Sequence, residues 1–115
     1  MNTLYIISGA PGAGKTTYGR ALAKELNATL LDIDTVTEKL VQTALKALGK
    51  DPDDRDSPFF KQTFRNPIYE TLFETAAENL SSTPVVITGP FTSEKRNPNW
   101  TDELEARFQT KVEIR

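Results

Sequence analysis

Apolar positions fall along the chain in two rhythms. Leu4-Tyr5-Ile6-Ile7, Leu30 to Ile33, Val85-Val86-Ile87-Thr88, and Val112 with Ile114 form short apolar runs rich in β-branched residues. That is the pattern of strands buried on both faces. Between them, apolar residues recur every three or four positions, as on one face of a helix. Lys15 to Leu26 would turn Tyr18, Ala21, Leu22 and Leu26 inward and end at Asn27. Thr35 to Leu48 would bury Val36, Leu40, Val41, Ala44, Leu45 and Leu48 and stop at Gly49. Ser57-Pro58 and Asn66-Pro67 each read as an N-cap followed by proline at the first helical position, predicting helices over 58–65 and 67–80. The longer one carries Ile68, Leu72, Phe73, Ala76 and Leu80. Trp100 leads into, and docks, a last helix from Thr101 to Gln109. The order βαβααβαβ predicts a three-layer α/β domain with a mainly parallel sheet over residues 1–115.

Composition narrows the chemistry such a domain can perform. With 115 residues, 37% of them hydrophobic, the chain suffices for one core. It has neither cysteine nor histidine. Thiolate nucleophiles, Ser-His-Asp triads and Cys- or His-ligated metals are therefore excluded. Carboxylates, lysine, arginine, hydroxyls and an oxygen-bound hard cation remain. A net charge of −2 gives no global basic field, so nucleic acid is expected at most as an acceptor in a local site. The N-terminus lacks a basic leader region, and no run approaches the roughly 20 apolar residues of a bilayer span. The expected location is cytoplasmic, with no membrane partner.

One motif gives that composition a direction. Gly9-Ala10-Pro11-Gly12-Ala13-Gly14-Lys15-Thr16 matches GxxxxGK[ST], between an apolar strand and a helix as the motif requires. Its glycines let the main chain wrap phosphate oxygens closely. The backbone N–H groups and the dipole of the following helix, which continues through Thr17, then face the anion. Lys15 would set a full charge on the β- and γ-phosphates, and the Thr16 hydroxyl would ligate Mg²⁺. The expected ligands are ATP and Mg²⁺. In a parallel sheet the chemistry gathers at the carboxyl ends of the strands. There Asp32 and Asp34, read as alternate residues on one side of an extended segment, could accept a proton from an attacking hydroxyl or hold a cation-bound water. The alternative reading of Asp34 is a cap for the helix starting at Thr35. After the third strand stands Thr88-Gly89-Pro90, with no Walker B acid, and no NKxD tetrapeptide occurs. Both absences favour small kinases over motors and switches.

The phosphate loop, the strand ending in Asp, the helical insertion, and an apolar strand followed by Ser93-Glu94-Lys95-Arg96 and Trp100 resemble one P-loop kinase group. That group contains the bacteriophage polynucleotide 5′-hydroxyl kinases, the zeta-toxin-like kinases and "AAA-family ATPase" kinases. The resemblance implies a kinase-like P-loop fold that moves the ATP γ-phosphate to a hydroxyl on a small molecule, a nucleotide or a nucleic-acid 5′ end. It makes Asp34 the general base beside Lys15. It also places the acceptor against the insertion at 50–80, with Arg55 and Arg65 as its cations. The stretch Thr35-Val36-Thr37-Glu38 holds no arginine where the group commonly has one. Lys95 and Arg96 read as a solvated loop. Members of the group continue past the fourth strand into an arginine-bearing lid. The expectation is thus a domain cut short at its C-terminus, a naturally short protein with weak catalysis, or one that receives an arginine from a partner, with Arg115 at a frayed end. Without the lid, the chain would be an ATP-binding module or a weak ATPase.

Overall fold

The computed structural model describes residues 2–10 and 12–115. Four strands, β1 (Leu4–Ser8), β2 (Thr29–Asp32), β3 (Val85–Gly89) and β4 (Val112–Ile114), pair in parallel in the order β2-β3-β1-β4. The connections are helical: α1 (Lys15–Leu26), α2 (Ile33–Ala47), α3 (Pro58–Thr63), α4 (Arg65–Asn79) and α5 (Trp100–Phe108). Parallel crossovers are right-handed, so connections that run in opposite directions across the sheet must lie on opposite faces. The β1-to-β2 crossover runs one way, and its helix α1 packs Leu22 and Ala23 on Ile7 and Val86. The other two crossovers run back, and α4 and α5 cover Leu4, Ile6, Val85 and Ile87 on the far face with Leu72, Phe73, Ala76, Leu104 and Phe108. This is the three-layer α/β fold read from the sequence. Among the described residues, no helix is long and apolar enough to cross a membrane.

Several helix ends stand where their signals placed them. Asn27 caps α1 in the left-handed conformation, Gly49 follows α2 at φ +71°, and the Ser57 side chain accepts from the Phe60 N–H at 3.1 Å. Others differ for identifiable reasons. The second helix begins at Ile33 rather than Thr35, because the Asp32 side chain accepts from the Thr35 N–H and caps it two residues early. Asp32 and Asp34 therefore do not share one extended segment. Asp32 ends the strand, and Asp34 lies in the first helical turn. Pro67 falls in the first turn of a helix that starts at Arg65, where a missing N–H leaves no bond unmade. Asn66 accordingly caps nothing.

Helix faces differ too. The α1 residues turned inward are Gly19, Leu22 and Ala23, leaving Tyr18 45% exposed and Ala21 exposed. In α2 the buried stripe is Thr37, Val41 and Leu45, with Leu40 at 74% and Leu48 at 54% exposure.

Candidate functional site

The loop between β1 and α1 is shaped by two glycines. Gly12 and Gly14 take φ of +81° and +82°, which residues with a Cβ adopt only with strain, and Gly14 is the N-cap of α1. The Ala13 N–H closes a turn onto the Ala10 carbonyl at 3.1 Å. Helix geometry then leaves the first N–H groups of α1, those of Lys15, Thr16 and Thr17, without an acceptor in their own helix. A loop with this shape, ending in amides without an acceptor in their own helix and in a lysine, has the form of an anion-binding turn. A Cβ on Gly9 would stand 3.6 Å from the Ala13 Cβ, an ordinary contact, and Pro11, expected in the same loop, lies outside the described residues.

The carboxylate end of β2 meets this loop. The Thr16 hydroxyl donates to Asp32 Oδ1 at 3.1 Å, and the Thr88 hydroxyl, at the end of β3, donates to the same oxygen. The other oxygen accepts from the Thr35 N–H at 3.2 Å and the Thr35 hydroxyl at 3.3 Å. Asp32 is only 6% exposed. Burial opposes its charge, yet the hydrogen bonds from Thr88, Thr35 and Thr16 outweigh burial and hold its carboxyl below the usual range. Asp34, on the first turn of α2, is exposed to solvent. The pair thus separates into one carboxylate whose oxygens are occupied and one open to an incoming group.

Arg55 and Arg65 of the insertion are both partnered. Arg55 reaches Glu38 at 2.6 Å, donates to the carbonyls of Pro52 (3.0 Å) and Asp54 (2.6 Å), and lies 5.2 Å over the Phe60 ring. Arg65 grips both oxygens of Glu94, at 2.8 and 2.9 Å, and lies 5.5 Å over Tyr69. Among the described residues, no hydrogen bond or ion pair joins either arginine to the phosphate loop.

Arg115 is not frayed. Its N–H donates to the Ile6 carbonyl at 2.8 Å, and its guanidinium donates to the Tyr18 hydroxyl at 2.6 Å. The two side chains flank a cavity of about 260 Å³ that also touches Ser8, Ala13, Gly14 and Lys15.

Sequence reasoning passed over two residues, Thr88 and Gly19. The available signals were a lone polar side chain closing an apolar strand, and a glycine three positions after Thr16 on the same helix face. A Cβ on Gly19 would stand 2.3 Å from the Thr88 Cγ2, so α1 sits closer to β3 than any other residue there would permit.

The profile of one family, described as AAA domain, matches residues 4–114. The chain is similar to a shikimate kinase of Corynebacterium efficiens, 38% identical over 69 residues, which is 60% of this chain and 39% of that protein. Among solved structures it is similar to a candidate kinase from Chloroflexus aurantiacus, with a TM-score of 0.67 and 22% identity over 98% of this chain and 56% of that one. It is also similar to the Pnkp1/Rnl/Hen1 RNA repair complex, with a TM-score of 0.59 and 20% identity over 99% of this chain and 32% of that one. Those two likenesses show the fold. The chain spans well under half the length of the shikimate kinase it matches.

Proposed function

The chain belongs to the AAA domain family, and from that premise we propose that it is a P-loop kinase domain transferring the γ-phosphate of ATP to a hydroxyl acceptor. The observation that carries this reading is the division between its two carboxylates. Asp32 spends its oxygens on Thr16, Thr88 and Thr35, whereas Asp34 stands exposed two residues on, in the first turn of α2 at the carboxyl end of the sheet. Asp34 is the general base, taking the proton of the acceptor hydroxyl. Lys15 and the amides at the start of α1 bind the β- and γ-phosphates. The Thr16 hydroxyl beside an ionised carboxylate is a set of hard oxygen donors that fits Mg²⁺. Bound there, Mg²⁺ would neutralise charge on the phosphates.

The acceptor side is the insertion at 50–80, and an anionic acceptor would compete with Glu94 for Arg65. Nucleic acid is an acceptor only at an end carrying a free hydroxyl. A second reading, a nucleotide-binding module or weak ATPase, draws support from the pairing of Arg55 with Glu38 and of Arg65 with Glu94, since both charges are already compensated.

ADP release distinguishes the readings. For a kinase it rises only when a hydroxyl acceptor is added. Asp34→Asn should bind ATP as the wild type does and lose about 10²- to 10⁴-fold in turnover, the usual contribution of a general base. Turnover unchanged in that variant would remove Asp34 from the chemistry. Lys15→Ala should weaken ATP binding by about 10- to 100-fold, as for a lost charge-assisted hydrogen bond.

A further inference from the structure

We propose that Thr88 is the positioning residue that holds Asp32 against Thr16, and so sets the cation-binding corner of the phosphate loop. The inference rests on the kinase reading above and concerns the same site.

The parallel register puts Asp32 and Thr88 side by side on neighbouring strands. Alternation along those strands turns both toward the α1 layer, since Leu30 and Val86, two positions earlier, pack with that layer. Thr88 is fully buried, and its two branches do different things. The hydroxyl donates to Asp32 Oδ1, the oxygen that also accepts from Thr16. The methyl enters the notch left by the missing Cβ of Gly19, on the helix that begins with Lys15 and Thr16. One side chain therefore fixes both the rotation of the Asp32 carboxylate and the height of α1 above it. Asp32 has its second oxygen tied to Thr35. With both ends held, the carboxylate meets Thr16 without searching its rotamers. That preorganisation is the usual effect of the groups behind a metal ligand, and removing such a group typically lowers metal affinity about 10- to 100-fold.

The test separates hydroxyl from methyl. Binding of a nonhydrolysable ATP analogue is followed calorimetrically, first without metal and then across a Mg²⁺ titration. In Thr88→Val, which keeps the branch facing Gly19 and loses the hydroxyl, the Mg²⁺ concentration for half-maximal nucleotide binding should rise about 10-fold or more. Thr88→Ser, which keeps the hydroxyl, should shift the Mg²⁺ midpoint far less than Thr88→Val does. Should Thr88→Val not fold, Thr88→Ala against Thr88→Ser isolates the same hydroxyl, because both lack the methyl. An unshifted Mg²⁺ midpoint in the variants lacking the hydroxyl, alongside Lys15-dependent nucleotide binding in the wild type, overturns the role of Thr88 alone. A wild-type protein that binds no nucleotide overturns the kinase reading and this inference together.

Discussion

Asp32 receives hydrogen bonds from the Thr16, Thr35 and Thr88 hydroxyls and from the Thr35 N–H, so a single carboxylate joins the phosphate loop, the start of α2 and the end of β3. Burial opposes its charge, but these hydrogen bonds prevail and hold its carboxyl below the usual carboxylate range. For a depressed carboxyl, the stabilisation is complete above the unfolded value and is lost as pH falls through the folded one. Metal-free wild-type protein should therefore lose thermal stability below about pH 4 more steeply than Asp32→Asn. At neutral pH that variant should be about 1–3 kcal/mol less stable, since its amide cannot accept from every hydroxyl around it. Melting midpoints recorded in chelator from neutral to acid pH check both. Parallel acid slopes would show that Asp32 is not the carboxylate lost first.

Helix faces carry a different lesson. The sequence legibly shows that α1 and α2 are helices, because a 3.6-residue rhythm and a cap are local properties. It does not show which flank of a wide apolar stripe faces inward. Leu40 and Leu48 look like core and are exposed, because α2 packs through the narrower line Thr37, Val41, Leu45. On α1 the inward position is a glycine, which a hydrophobicity pattern cannot register, and the reason is a side chain 69 positions later. Gly19→Ala tests that packing. Overpacking costs about 1–3 kcal/mol and exceeds the roughly 1 kcal/mol an alanine gains in helix propensity, so the variant should melt several degrees lower. A higher melting temperature would mean that α1 can lift from β3 at little cost.

For the molecule as a whole, the phosphate loop and the fold class were readable because GxxxxGK[ST] is contiguous and the strand-helix alternation implies a parallel sheet. The meeting of Asp32 with Thr88 was not, because it depends on β3 lying between β1 and β2 in the sheet. Neither was the role of Phe91. It is wholly buried at φ 45°, stacks on Tyr69 at 4.8 Å and lies 6.0 Å from Phe73. A Cβ on Gly89 would come within 2.9 Å of its ring. Only tertiary packing holds a bulky residue in that backbone region. Phe91→Ala should cost about 3–5 kcal/mol by denaturant unfolding; a loss below about 1 kcal/mol would mean the cluster closes over the gap.

The same cluster contains Trp100, the only tryptophan in the chain, 5.4 Å from Phe91 and almost wholly shielded from water. The protein therefore carries its own optical label. Its emission should be blue-shifted when native and move to the red on unfolding. Because the indole lies on the sheet face opposite α1, that colour reports the integrity of the α4–α5 layer.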